Sequence, residues 1–199
     1  MARKQLLLAA VCLIVGGALG FWLHPPSPSA PGPVLSPVDI GFAQDMAVHH
    51  EQAVLLSRTL PAGASPQIRG IAERIVLAQT GEIAQLRGWL QLFELPLTTA
   101  TPMRWMQGQH DHGGAPMPGM ASVAEITTLA GLRGAEAEIL FLQLMIRHHH
   151  GGIDMAQAAF NTGSNAAVKR VALDMVNEQG NETGQMTALL TARNAQPLS

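Results

Sequence analysis

The sequence predicts an all-α domain, a four-helix bundle built from two copies of one helical hairpin. Of its 199 residues, 47% are hydrophobic but only 4% are aromatic, with no tyrosine, which suits helices better than sheets. Apolar residues recur in alternating steps of four and three, the spacing of one helical face. The same pattern then returns about 100 positions later. Composition, periodicity and repeat therefore agree on the fold class.

Residues 1–23 predict a signal anchor or transmembrane helix. Arg3 and Lys4 precede an uncharged run from Gln5 to Leu23, which is near the length that spans a bilayer. A basic start before an apolar run is typical of an export signal with its positive end inside. We expect a membrane-anchored domain outside the cytoplasm, periplasmic or extracellular. Cleavage near Gly20, which would give a secreted protein, is the alternative.

Residues 24–36 form a Pro-rich spacer, because five of these 13 residues are proline. The domain that follows, residues 37–193, is mildly acidic, since 10 basic residues remain against 14 acidic ones once Arg3 and Lys4 are set aside. Such a charge balance argues against nucleic acid as a partner. The only cysteine, Cys12, lies in the N-terminal run, so the domain has neither a disulfide nor a thiolate ligand.

Four long helices are expected in the domain, at about 38–60, 65–93, 135–160 and 165–192. Pro61 to Gly63 ends the first helix, and Asn161 to Gly163 ends the third. A Met/His-rich linker, residues 95–134, joins the two hairpins and contains a short helix near 122–129. Pro37 fits the first turn of the first helix.

The repeat places polar residues at the middle of each predicted helix seam. The first and third helices share Met-x-x-His-His at an offset of 99, and the second and fourth share Gln-x-x-Glu at an offset of 100: Met46, His49, His50, Met145, His148, His149, Gln79, Glu82, Gln179 and Glu182. Burying such groups without partners is costly, so they must be satisfied by one another, by water or by a ligand.

A metal site explains this polar seam better than packing does. Thioether and neutral imidazole are soft to borderline ligands, which without thiolate favour Cu(I) and also permit Cu(II). The spacing puts Met46, His49 and His50 on one helical face, and Met145, His148 and His149 repeat it. Two such pairs favour a metal or proton-linked site, whereas a lone histidine is more often a satisfied core residue. The Gln and Glu residues would then orient the imidazoles.

Counting back from the hairpin turns predicts the layering of the site. His49 and His148 should share one central layer, with Gln79 and Gln179 at about the same height. Glu82 and Glu182 should then lie one turn further on, near the level of Met46 and Met145. His150 has no counterpart in the repeat and is expected to be exposed.

These motifs resemble the bacterial domain of unknown function 305 family, with similarity over residues 37–193. The first signature is matched by Asp39, Phe42, Met46, His49, His50 and Ala53, and the second by Phe141, Met145, Ile146, His148, His149 and Gly151. Met117-Pro118-Gly119-Met120 resembles the family's linker element, whereas Leu86, Glu138 and Thr183 depart from its usual residues. The resemblance implies a ferritin-like helical bundle, exported or membrane-associated, with copper binding and tolerance in some members.

The linker offers a second candidate copper site. It contains Met103, Met106, His110, His112, Met117 and Met120. Methionine and histidine clusters in flexible segments can capture copper weakly and pass it on, and an ordinary flexible loop with incidental methionines is an equally good interpretation.

Two other function classes remain open. A carboxylate-bridged di-metal oxidoreductase would need Glu-x-x-His motifs, and no histidine here has a glutamate three residues before it. A non-metal helical module at the membrane, binding an unidentified protein partner, is the other alternative. No Ser or Cys lies in a recognisable catalytic context, so enzymatic activity is not favoured.

Overall fold

The computed structural model describes residues 4, 5, 16, 34–106 and 117–198. Five α-helices lie in the two long ranges: α1, Pro37–Thr59; α2, Pro66–Leu92; α3, Val123–Gly131; α4, Gly134–Thr162; and α5, Ala166–Thr191. A short 3-10 helix spans Arg104–Met106. No strand occurs in either range. The all-α prediction is therefore confirmed, and the helix boundaries fall within two residues of those expected.

The N-terminal prediction falls almost entirely outside the described residues. The described residues include only positions 4, 5 and 16 of segment 1–23 and the last three residues of the Pro-rich spacer. The described residues from Leu35 onward form one compact unit. None of the helices that the structure describes is long and apolar enough to cross a bilayer. The anchor remains a prediction.

Side-chain caps explain where three helices begin. The Ser36 hydroxyl accepts a hydrogen bond from Asp39 N–H, and the Asp39 carboxylate accepts one from Ser36 N–H, which completes a capping box. Ser122 and Glu125 form the same arrangement at α3. The Asn165 carboxamide oxygen accepts hydrogen bonds from the first turn of α5. Pro37 occupies the first turn of α1, as expected.

The two hairpins, α1 with α2 and α4 with α5, meet mainly through α1 and α4. Two hydrophobic clusters fill the interior, and both contain residues from each hairpin. One combines Leu56 and Ile75 with Phe141 and Met145; the other combines Phe42, Met46 and Leu86 with Met155 and Met175. Residues late in α1 therefore pack against residues early in α4. The two central helices run antiparallel.

The matched acids Asp39 and Glu138 each hold the turn of the opposite hairpin. The Asp39 carboxylate accepts hydrogen bonds from Ser164 Oγ at 3.1 Å and Asn165 N–H at 3.2 Å. Glu138 accepts from Ser65 N–H at 2.5 Å and from the Arg193 guanidinium at 2.9 Å. Such reciprocal contacts are those of a two-fold interface. The internal repeat thus has a structural counterpart.

Candidate metal centre

The two His-His pairs meet at the middle of the α1–α4 contact. The ring centroids of His49 and His148 are 3.9 Å apart, with 36° between the ring planes. All four histidines, His49, His50, His148 and His149, are fully buried. The predicted central layer of His49 and His148 is therefore present. Because α1 and α4 are antiparallel, this layer separates the two hydrophobic clusters.

The outer ring nitrogens, Nε2, face acceptors on the protein. His49 Nε2 donates to the Pro118 carbonyl at 3.0 Å, and His148 Nε2 donates to the His49 carbonyl at 3.1 Å. His149 Nε2 lies 2.7 Å from Glu182 Oε2. A carbonyl oxygen can only accept, so the first two rings must carry their proton on Nε2. In a neutral imidazole, Nδ1 is then left with a free lone pair.

The contact of His50 is less complete than that of His149. His50 Nε2 lies 2.9 Å from Glu82 Oε2, but it makes no hydrogen bond within the described residues. The two carboxylates are partly exposed, with 18% of the Glu82 side chain and 14% of the Glu182 side chain accessible. His50 and His149, the outer histidines, therefore each lie beside a carboxylate that reaches solvent.

All four Nδ1 atoms are buried without a hydrogen-bond partner among the described residues. Burial is the largest cause that lowers the pKa of His49, to about 3, and neighbouring histidines lower it further. Burial and the same neighbours hold the pKa of His148 well below its usual value. Both rings are neutral at neutral pH. Four buried ring nitrogens without hydrogen-bond partners in one core are costly unless something binds them.

The site's methionines flank this layer from opposite sides. Met46 and Met145 are fully buried one turn before their histidines, and they belong to different hydrophobic clusters. Each thioether thus lies on the same helical face as its His-His pair. His150 is exposed, as predicted. In the part of the chain that the structure describes, no three His, Asp or Glu side chains are already arranged around one cation position.

The predicted layering is wrong for the second and fourth helices. Glu82 and Glu182, which were expected near the methionines, contact His50 and His149. Gln179 lies about one turn before Glu182 on α5. Its carboxamide is so close to Gly152 that a Cβ on Gly152 would collide with it. Both Gln79 and Gln179 are buried and make no hydrogen bond among the described residues. The structure thus brings the carboxylates to the imidazoles and gives the amides no hydrogen bond to them.

A turn of the linker closes one side of the site. Residues 117–121, the 117–121 strap, begin with a β-turn in which Met120 N–H donates to the Met117 carbonyl at 3.3 Å and Gly119 has a φ of 75°. Proline followed by a glycine with positive φ is the pattern of a type II turn. The turn lies against α4 so closely that a Cβ on Gly119 or Gly151 would collide with backbone. These glycines permit the approach that brings the Pro118 carbonyl to His49.

Side chains from both central helices hold the strap in place. The Gln52 carboxamide donates to the Ala121 carbonyl at 2.9 Å and accepts from Ala121 N–H at 2.6 Å. Arg147 forms a two-pronged ion pair with Glu125, at 2.8 and 2.9 Å, just after the strap. Neither Gln52 nor Arg147 was singled out in the sequence. Their sequence positions gave no signal, because their partners are backbone groups of the strap and Glu125 of α3, 22 positions before Arg147.

The residues of the predicted linker copper site lie in different surroundings. Met103 is only 4% exposed and packs in the cluster around Phe42, while Met106 and Met117 are half-buried against that cluster. Met120 is half-buried in the strap, and His110 and His112 lie outside the described residues. The described linker methionines therefore lie in packed segments.

Asp45 anchors the first part of the linker. Its carboxylate accepts hydrogen bonds from Met103 N–H at 2.6 Å and Trp105 Nε1 at 2.8 Å. Burial raises the pKa of Asp45, although these hydrogen bonds oppose the rise. Trp105 packs edge-on to Phe42 and lies directly over Gly41. Trp105 therefore has a packing role at α1.

Comparison with known proteins places this fold. The profile of the domain of unknown function 305 family matches residues 39–190. A crystal structure from Streptomyces coelicolor, described as a candidate secreted protein of that family, is 37% identical with a TM-score of 0.75, over 81% of this chain and 96% of that one. A family fragment from Deinococcus radiodurans is 30% identical with a TM-score of 0.69, over 80% and 99%.

More distant structures have the same fold with bound metal. CopM in its Cu(I)-bound form is 21% identical with a TM-score of 0.60, over 77% of this chain and 96% of CopM. Its Cu(II)- and silver-bound forms match similarly. No curated protein matches this sequence.

Proposed function

Because the chain belongs to the domain of unknown function 305 family, we propose that its helical domain binds copper outside the cytoplasm. Its role would be copper sequestration, trafficking or tolerance. The proposal extends to this chain what the distant CopM structures have bound, namely Cu(I), Cu(II) and silver. No catalytic step is proposed.

One observation carries the proposal: four buried Nδ1 atoms without hydrogen-bond partners among the described residues. Histidines that bind a metal through one nitrogen usually donate the other N–H to a carbonyl or a carboxylate, which fixes the tautomer. His49 and His148 face carbonyls in this way, and His149 faces Glu182. The arrangement leaves Nδ1 as the ligand atom.

The donor set favours a soft cation. Met46 with His49 and His50, and Met145 with His148 and His149, supply thioether and neutral imidazole without thiolate. Copper as Cu(I) suits both donor types, and imidazole also serves Cu(II). Because His49 and His148 are already neutral at pH 7, no proton must leave them when a metal binds.

An extracytoplasmic location is part of the proposal. The basic start and the apolar run of residues 1–23 support export, and the Streptomyces relative is described as a candidate secreted protein. We propose that this run anchors the protein in the membrane. A thiolate-free copper site suits an oxidising compartment, where cysteine ligands would be lost to disulfides.

Metal competition tests the proposal. Purified protein, residues 35–199, should bind Cu(I) under anaerobic conditions and keep it against an excess of Zn(II), because thioether ligands favour the softer ion. A colorimetric Cu(I) chelator gives the affinity, and elemental analysis gives the stoichiometry. Zinc displacing Cu(I) would contradict the proposal. A domain that keeps no metal would favour the interaction module instead.

A further inference from the structure

Three carboxylates from both hairpins gather beside the outer histidines. Glu82 lies on α2, and Glu178 and Glu182 lie on α5. The pKa of Glu178 is raised mainly by burial and, to a smaller extent, by the negative charges of Glu82 and Glu182. Glu178 and Glu182 are four residues apart on α5, so their side chains are neighbours on one helical face. Glu178 is exposed, so this cluster opens to solvent.

A second observation at the cluster points to a cation. His50 is fully buried, and its Nε2 lies 2.9 Å from Glu82 Oε2 without making a hydrogen bond. Because no hydrogen bond among the described residues fixes the tautomer of His50, its Nε2 can carry the lone pair and, with the Glu82 oxygen, offer two donor atoms to a metal ion. In the second hairpin, His149 Nε2 lies 2.7 Å from Glu182 Oε2. In each hairpin, a buried imidazole thus contacts a carboxylate that is partly exposed to solvent.

Another approach to the histidines is covered by backbone. The 117–121 strap lies on α4 at Arg147 and Gly151, and the Pro118 carbonyl takes the Nε2 proton of His49 as a hydrogen bond. A cation arriving there would have to displace a packed turn. The carboxylate cluster requires no such displacement.

The internal repeat does not account for the acid at position 178. The matched position in the first hairpin is Ala78, at the same offset of 100 that relates Gln79 to Gln179. Within residues 34–106 and 117–198, Glu178 forms no salt bridge. An uncompensated acid beside two others is a cost that neither the repeat nor an ion pair explains.

We propose that Glu82, Glu178 and Glu182 form the cation-access face of this domain, with Glu178 drawing the metal ion toward His50 and His149. The inference rests on the proposed copper binding and adds its route. Acidic groups lining one opening raise the local cation concentration and the association rate. Because the groups are partly exposed, salt screens their effect.

Binding kinetics test the route. The full-length protein in detergent is mixed with Cu(II) sulfate in a stopped-flow instrument, and quenching of tryptophan fluorescence reports binding. Glu178→Gln should slow association about three- to tenfold at low ionic strength, with the difference shrinking as salt is added. Stoichiometry at saturation should stay unchanged.

Glu73→Gln is the matched control, because Glu73 is an exposed acid more than two turns away on α2. It should bind copper at the wild-type rate. Equal rates for Glu178→Gln and wild type would overturn the inference while leaving copper binding intact. An equal loss in Glu73→Gln would also overturn it, since net charge alone would then explain the effect. A wild-type protein that binds no copper would instead remove the proposed function.

Discussion

His49, His148 and His149 use their two ring nitrogens differently. Nε2 of each faces an acceptor, and Nδ1 is buried without a hydrogen-bond partner among the described residues. The sequence predicted the six Met and His residues and their pairing, because an unbroken helix fixes spacing. It could not predict which nitrogen is free, since the acceptor of His49 belongs to Pro118, 69 positions away.

The two nitrogens can be separated by substituting glutamine. In His149→Gln, the carboxamide N–H can replace Nε2 as donor to Glu182, whereas no lone pair remains in place of Nδ1. We expect Cu(I) affinity to fall by about 100-fold or more, since even the loss of a supporting residue costs 10- to 100-fold. Chelator competition measures the affinity, and thermal unfolding checks the fold. His150→Gln, at an exposed neighbour, should bind as wild type; unchanged binding in His149→Gln would exclude His149 as a ligand.

At the level of elements, hairpin register was the hardest feature to predict. Thr59, the last residue of α1, lies nine positions after His50. Glu82, in contrast, lies 16 positions after Pro66, the first residue of α2. The connecting residues therefore continue along the helix axis before α2 begins. Symmetric counting about the turn misses this rise, so it placed Gln79, and not Glu82, opposite the histidines.

The 117–121 strap depends on a close backbone approach. Gly151→Ala should destabilise the domain by about 1–3 kcal/mol, because its Cβ would collide with the Pro118 carbonyl. Gly180→Ala is the control, since a Cβ there meets nothing within 4 Å and alanine is the better helix former. Urea unfolding measures both. Equal stability of Gly151→Ala and wild type would mean that the strap does not press on α4.

The matched acids should stabilise the fold without binding copper. Asp39→Ala and Glu138→Ala should each cost about 1–3 kcal/mol, because each removes part-buried hydrogen bonds to the turn of the opposite hairpin. Hydrogen bonds from Ser65 and Arg193 outweigh burial and lower the pKa of Glu138. A lowered folded-state pKa means that its stabilisation is present above the ordinary value of 4.5 and is lost as pH falls through the folded-state value.

Lowering the pH should therefore reduce the difference in free energy of unfolding between Glu138→Gln and wild type, as measured by urea unfolding at several pH values. Copper stoichiometry should be unchanged in all these variants. A loss of bound metal in Asp39→Ala with an intact fold would make the acid part of the site.

At the scale of the whole molecule, the repeat explains the site. Two antiparallel central helices, related by reciprocal contacts, bring the midpoint of each to the same place, so His49 meets His148. The repeat therefore predicted the central layer without knowledge of how the linker crosses. It could not predict the linker's own packing, because Met103 and Trp105 contact α1 through residues that have no repeated counterpart.

We predict that the N-terminal run sets the compartment of the proposed copper site. Arg3 and Lys4 should keep the start of the chain in the cytoplasm, and the apolar run to Leu23 should hold it in the bilayer. After expression in a bacterium, we expect the protein in the membrane fraction, with the helical domain digested by protease added outside the cytoplasmic membrane. Replacing residues 1–33 with a cleavable export signal should give a soluble exported domain, which is the control for fractionation. A soluble wild-type protein that begins near Phe21 would show that the run is cleaved, and copper would then be carried by a secreted domain.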